Sequence, residues 1–323
     1  VSAIDSAAGW NLQITAVAGA TTAALLPDDG AREIFSDPGA IVAGGFNPPG
    51  AAVRVDGGYR LTGRWPFVSG CQRANWFADP ALLMENGEPV MADHGQPVEL
   101  ICYYPAAEAE IIETWNPLGM RGTGSHDIGV TEIFVPDSRA AFFAPFDNAG
   151  SAYQGPIYKL GLMPTIMGNA IVALGIARTA VDQAVELVKS KIPAFLQSRP
   201  VDRGVVHAHL ARAEASLSAA RAYFYNALGD AWNSATEGQR PTAKQRMHMQ
   251  LAASQAAEGA ASAVNHVHAA VGSSGMREEQ YDFARHFRDV HTITQHALCS
   301  PTRFESMGQV MLGLQTDWIL FDL

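Results

Sequence analysis

The sequence predicts an α+β fold in which N-terminal helices, a central β-domain and a C-terminal helical bundle follow one another along the chain. Three observations carry the prediction. Trp10, Ile14 and Val17 recur at helical spacing near the start, and β-branched and aromatic residues punctuated by glycine and proline take over from Ala40. From Pro164 onward, long alanine-rich segments carry apolar stripes at helical spacing. The expected divisions are 1–39, 40–146 and 147–323.

Ser2 to Leu26 reads as an amphipathic helix stopped by Pro27-Asp28-Asp29, and a short second helix is expected around Ala31 to Phe35. Gly44-Gly45-Phe46-Asn47-Pro48-Pro49-Gly50 cannot be helical. Val53 and Val55, then Tyr59 and Leu61, alternate with polar neighbours on either side of Asp56-Gly57-Gly58, the turn chemistry of a β-hairpin. After Thr62-Gly63 the chain extends again as Arg64-Trp65-Pro66-Phe67-Val68 and stops at Ser69-Gly70. An aromatic-rich strand thus delivers one hydroxyl at its end, beside a glycine that lets a flat ligand approach the backbone. Leu100 to Tyr104 and Gly129 to Val135 read as further strands.

In the C-terminal part, one stripe runs Ile171, Leu174, Val181, Val185 and Val188, and a second runs Leu210, Ala213, Leu217, Ala220, Phe224 and Leu228. Thr242-Ala243-Lys244-Gln245 has the spacing of a capping box and opens a third helix through Met247, Leu251, Ala257, Ala261 and Val264 toward Gly272. Phe283, Phe287 and Val290 mark a fourth, and Ser300-Pro301 opens a fifth. Successive long helices with two apolar faces predict a bundle that also packs against a second subunit.

Composition narrows the partners. At 323 residues with 48% hydrophobic content the chain can bury a large core. A net charge of −10, with 22 lysines and arginines in no basic run, argues against nucleic acid or an anionic membrane and for a small molecule. No apolar run reaches the roughly 18 residues of a membrane span, and no signal peptide is visible. Cys71, Cys102 and Cys299 are odd in number and widely spaced, which suits reduced thiols in a cytoplasmic protein rather than disulfides or zinc ligands. His286, His291 and His296 recur every five residues, so they cannot share a helix face, and no metal site is expected.

Gly57-Gly58-Tyr59-Arg60-Leu61-Thr62-Gly63-Arg64-Trp65-Pro66-Phe67-Val68-Ser69-Gly70 resembles the central β-domain segment of the acyl-CoA dehydrogenase superfamily. It is most similar to the branch of two-component flavin-dependent monooxygenases that includes the oxygenases of hydroxyphenylacetate, of a steroid-derived phenol and of dibenzothiophene. The resemblance implies that Ser69 hydrogen-bonds a flavin near N5, with Phe67 and Val68 beside it. Trp115-Asn116-Pro117-Leu118-Gly119-Met120-Arg121-Gly122-Thr123-Gly124-Ser125-His126-Asp127 is similar to the superfamily's Gly-Met/Ile-Arg-Gly-Ser/Thr segment, which implies that Arg121, Gly122 and Thr123 lie along the flavin and substrate cleft. Without the resemblance this stretch is an ordinary turn rich in N–H groups, since neither a P-loop nor a dinucleotide fingerprint is complete.

Gly272-Ser273-Ser274-Gly275 is similar to the superfamily's Gly-Gly-x-Gly loop, which implies that Gly272 and Gly275 contact the flavin tail across a dimer interface; a helix C-cap at Gly272 explains the same glycine. Arg288-Asp289 leads to His296, the position matching the catalytic carboxylate of many dehydrogenases and a histidine in the monooxygenase branch. Imidazole near neutrality can deprotonate a phenol or donate a hydrogen bond to a flavin hydroperoxide, whereas a histidine near a helix C-terminus can also simply complement the dipole. Trp10 falls near a tryptophan that lines the flavin pocket in the hydroxyphenylacetate branch, and core packing explains it too. Asn47 is assigned with Trp10 to the substrate pocket, in Asn47-Pro48-Pro49-Gly50 where dehydrogenases show Thr-Glu-Pro.

The resemblance therefore implies a flavin-dependent monooxygenase: an oxygenase component that uses reduced FMN from a separate flavin reductase, and O₂ through a C4a-hydroperoxide, to hydroxylate a small aromatic substrate. FAD is a possible replacement for FMN, a homotetramer is the family habit, and the families carry further helices before the position of Val1. The alternatives are a thioester-oxidising acyl-CoA dehydrogenase and a non-catalytic helical scaffold. The first departs at Asn47, at His296 and at Arg199-Pro200, a rough counterpart of a flavin-binding arginine.

Overall fold

A computed structural model of the protein describes residues 1–92, 95–143, 150, 152–192 and 197–321. The expected boundary at Phe146 lies outside the described residues. The chain forms two compact units. A helical unit takes Val1–Trp10, Pro117–Met120 and Met163–Phe321, and a sheet unit takes Asn11–Asn116 and Arg121–Leu162. Helix α1 (Ser6–Ala23) contributes its first turn to the former and the rest to the latter.

In the sheet unit, α2 (Asp28–Phe35) begins with two acidic residues that complement its dipole and buries Ala31 and Ile34. Nine strands follow among the described residues: β1 (Val42–Ala43), β2 (Gly50–Val55), β3 (Gly58–Val68), β4 (Trp76–Glu85), β5 (Glu88–Pro89), β6 (Glu99–Pro105), β7 (Glu110–Ile112), β8 (His126–Pro136) and β9 (Ala140–Phe142). Helix α3 (Pro156–Lys159) closes the unit. The main path of the sheet runs β7-β8-β3-β2-β4-β6-β9, with β1 and β5 on β4.

The expected hairpin is β2–β3, with Val55 opposite Gly58 across Asp56-Gly57 and Gly57 at φ +74°. The break expected at Thr62-Gly63 does not occur: β3 continues through it, and the pairing with β8 absorbs an extra residue there, with Glu132 at φ +54°. A second bulge lies between Trp65 and Val68, where Pro66 lacks an N–H and Phe67 sits at φ +62°. This bulge re-aims the side chains. Trp65 and Val68 are fully buried with Leu61, Phe77, Tyr104 and Ile128, while Phe67 is 70% exposed.

The helical unit comprises α4 (Met163–Ser190), α5 (Gly204–Thr236), α6 (Ala243–Val271), α7 (Phe283–Ile293) and α8 (Thr302–Met311). Thr242 and Gln245 form the expected capping box at the start of α6, which ends at Gly272. The expected stripe on α4 needs one correction: Ile171 is exposed and Val185 only half-buried, whereas Ala170, Ala173, Ala177, Ala180 and Ala184 are buried. Alanine lets helix backbones approach closely, so the tightest face of α4 is set by small residues that a search for large apolar side chains passes over.

Candidate functional site

In the sheet unit the end of β3 turns sharply at Ser69 and Gly70, where φ is +75°. The Gly70 N–H donates to the Thr123 carbonyl at 2.9 Å, and Asn11 Nδ2 donates to the same oxygen at 3.3 Å. Around this turn lie three buried hydroxyls. Ser69 Oγ is 2.8 Å from Ser125 Oγ, which is 2.7 Å from Thr123 Oγ1. Beyond the bulge, the exposed Phe67 ring meets Trp115 edge-on with centroids 6.1 Å apart, and His126 Nδ1 accepts the N–H groups of Thr114 and Trp115, both at 3.1 Å.

This end of the sheet suits the flat, apolar ring of a flavin with its polar edge. Phe67 offers an exposed aromatic face, the hydroxyl cluster offers donors and acceptors, and Asn11 Oδ1 is buried with no partner among the described residues. Of the other expected residues, Arg121 is exposed and donates to Asn116 Oδ1 at 2.7 Å, Gly122 is exposed and Thr123 is buried. Val68 turns its side chain into the core, which leaves only its backbone for a ligand. Asn47 is exposed in the loop before β2.

In the helical unit His296 follows α7. The Leu298 N–H meets its Nδ1 at 3.3 Å and Asn169 Nδ2 lies 3.4 Å from the same atom. Trp10, 5% exposed, stands edge-on to the imidazole at 5.2 Å between centroids. The His296 ring keeps some accessible surface, yet enough protein surrounds it that burial pushes its pKa down to about 4. It is neutral at pH 7. Asp289, buried on α7, accepts Ser6 Oγ–H at 2.5 Å and the Met120 N–H at 2.6 Å, which fastens 117–120 to the helix that leads to His296. Gly272 caps α6 at φ +57°, and Gly275 is buried so close to His268 that a Cβ there would sit 2.9 Å from its ring.

Ser125, Asn11 and Asn169 were not singled out by sequence reasoning. Ser125 carried a weak signal as a small hydroxyl in the Gly-rich loop. Asn169 carried a clearer one, a polar side chain in the apolar face of α4.

Residues 167–301 match the family described as acyl-CoA dehydrogenase, C-terminal domain. The chain is 30% identical to a pigment production hydroxylase of Rhodococcus sp. (strain ATCC 21145), over 97% of this chain and 80% of that one. It is 29% identical to an indole-3-acetate monooxygenase of Acinetobacter baumannii, over 98% of this chain and 78% of that one. Among solved structures, XiaF from Streptomyces sp. in complex with FADH2 and glycerol superposes with a TM-score of 0.87 at 25% identity, covering 98% of this chain and 80% of XiaF. Fold and relatives define an oxidoreductase of the monooxygenase class. The chain belongs to the acyl-CoA dehydrogenase superfamily, in its branch of flavin-dependent monooxygenase oxygenase components.

Proposed function

We propose that this protein is the oxygenase component of a two-component monooxygenase that hydroxylates a small aromatic substrate with reduced flavin and O₂. The observation that carries the reading is His296. By the resemblance His296 matches the position where the thioester dehydrogenases carry a carboxylate base, and burial keeps its imidazole neutral at pH 7, so no anionic base stands there. The relatives named above are a hydroxylase and a monooxygenase, which supports the same choice.

Bound reduced flavin would supply the two electrons that activate O₂, one oxygen atom of which goes to the substrate while the other leaves as water. The chain's residues bind, orient and exclude water. Ser69 would hold the flavin by its hydroxyl near N5, with Phe67 against the ring, the Val68 backbone beside it and Arg121, Gly122 and Thr123 along it. Gly272 and Gly275 would approach the flavin tail through backbone N–H groups. His296 would hydrogen-bond the reacting oxygen or substrate, with Trp10 and Asn47 shaping the substrate pocket.

In the same reading residues 1–39 belong to an N-terminal helical domain, 40–146 to the β-domain and 147–323 to the bundle. The partners are a separate flavin reductase and three further copies of the chain. FMN is the flavin the weak adenine-binding signatures favour, and FAD is the second reading because the relative XiaF carries FADH2.

The test mixes the protein anaerobically with FMNH₂ or FADH₂, adds oxygenated buffer, and follows the appearance of oxidised flavin. The expected result is re-oxidation slower than for free flavin, restored toward the free rate by Ser69→Ala and by His296→Ala, with phenols and indoles screened for oxygenated product. Re-oxidation at the protein-free rate with both flavins would sink the reading.

A further inference from the structure

Among the described residues His296 finds hydrogen-bond partners at one ring nitrogen, and the partners of that nitrogen decide which way its hydrogen bonds run. Its Nδ1 faces two N–H donors, the Leu298 backbone at 3.3 Å and Asn169 Nδ2 at 3.4 Å. The backbone donor cannot rotate away. Both contacts are longer than the usual N–H donor range, so neither alone fixes the proton, but a nitrogen that accepts from both N–H donors carries none of its own, and the neutral ring then holds its proton on Nε2.

Asn169 lies on the buried face of α4 and is fully buried, yet its Oδ1 has no partner among the described residues. An unpaired buried carbonyl is costly, and rotating the amide would point that oxygen at Nδ1. That orientation would call for a proton on Nδ1, which the Leu298 N–H opposes. The amide is thus held with its donor toward the imidazole. Burial is the cause of the ring's lowered basicity, and the edge-on Trp10 ring restricts rotation of the imidazole.

We propose that Asn169 is a positioning residue that locks His296 in the Nε2–H form, making the histidine a hydrogen-bond donor, not a proton acceptor, toward the reacting groups. The catalytic half of this proposal rests on the oxygenase reading; the proton position does not. A donor at Nε2 can steady a developing negative charge on oxygen without taking up a proton, whereas a base there would need the proton moved to Nδ1.

The test is multiple-bond ¹H–¹⁵N NMR of the full chain labelled with ¹⁵N-histidine, with the His296 signals identified by their loss in His296→Gln. The expected wild-type spectrum shows a bare Nδ1 and a protonated Nε2, unchanged from pH 5.5 to 8. Asn169→Asp sets a carboxylate against Nδ1 and should draw the proton there, raising the pKa of the ring by at least one unit. Asn169→Leu, a variant without a buried charge, should give a mixture of both neutral forms. A protonated Nδ1 in the wild type overturns the proposal, as does a pure Nε2–H form in Asn169→Leu, which would make Leu298 sufficient.

The catalytic half is read from the ratio of oxygenated product to hydrogen peroxide with reduced flavin. Asn169→Asp should lower it at least tenfold at unchanged flavin affinity, and an unchanged ratio overturns the positioning role. A wild type inactive with both flavins but with the expected spectrum would instead remove the oxygenase reading and leave the proton position standing.

Discussion

The Ser6 hydroxyl donates to the buried carboxylate of Asp289 at 2.5 Å across 283 residues of sequence. The second carboxylate oxygen takes the Met120 N–H at 2.6 Å, so three distant segments of the helical unit converge on one side chain. Hydrogen bonds to a charged acceptor are each worth about 1.5–3 kcal/mol. Asp289→Ala should therefore lower the unfolding free energy by about 3 kcal/mol in urea denaturation, and Asp289→Asn, which can accept through only one oxygen, by roughly half that. A loss below about 0.5 kcal/mol for the alanine variant would show that the junction is held by packing alone.

The same junction leaves no room at Gly119. A Cβ there would lie 2.3 Å from the Arg288 carbonyl oxygen, a backbone atom on α7 that cannot yield without moving the helix. Gly119→Ala should cost about 1–3 kcal/mol by overpacking, seen as a lower midpoint in thermal unfolding followed by circular dichroism.

Three buried groups give stability a defined pH dependence. His286 and His296 have their ordinary value of 6.5 lowered to about 4 by burial. As pH falls from 6.5 to 4 the unfolded chain takes up protons that the folded one refuses, so stability falls. Asp79 acts in the opposite sense. It accepts the Tyr104 hydroxyl and the Gly45 N–H, both at 2.6 Å, but burial raises its pKa from 3.8 to about 7, so the folded state keeps a proton that the unfolded state loses and stability falls as pH rises through that range. The three together favour a maximum near pH 6.5. His286→Gln should flatten the acid side of the thermal-midpoint profile, and Asp79→Asn should steepen it and abolish the decline from 6.5 to 7. Superimposable profiles for wild type and Asp79→Asn would show that Asp79 is ionised throughout.

At the start of α6 the Thr242 side chain accepts the Gln245 N–H at 3.2 Å, and Gln245 Oε1 accepts the Thr242 N–H at 2.9 Å. Thr242→Ala removes half of this box and should cost about 1 kcal/mol, measurable as a shift in the urea midpoint at unchanged slope.

The parts of the fold that were readable share one property: their signals lie within a few residues of one another. The β2–β3 turn needs only Asp56-Gly57, the capping box only Thr242 and Gln245, and the long helices only a stripe repeating every three or four positions. Ser69 was readable for a similar reason, as a hydroxyl at the end of an aromatic strand, and Arg288-Asp289 drew attention as a short run ahead of His296.

What the sequence determined by itself was local: the order of helices and strands, the hairpin, the caps, and through its motifs the superfamily to which the chain belongs. Tertiary structure alone decided the rest. Whether Phe67 faces solvent depends on a bulge against β8, because one extra residue reverses which face a strand side chain occupies. The protonation of Asp79 and His296 depends on how much protein surrounds them, and no spacing along the chain encodes burial. Asn169 meets His296 across 127 residues, and Ser125 meets Ser69 across 56, because helices and strands far apart in sequence pack side by side. Contacts of that range are products of the whole fold, whereas the sequence pattern records only which face of each element is apolar.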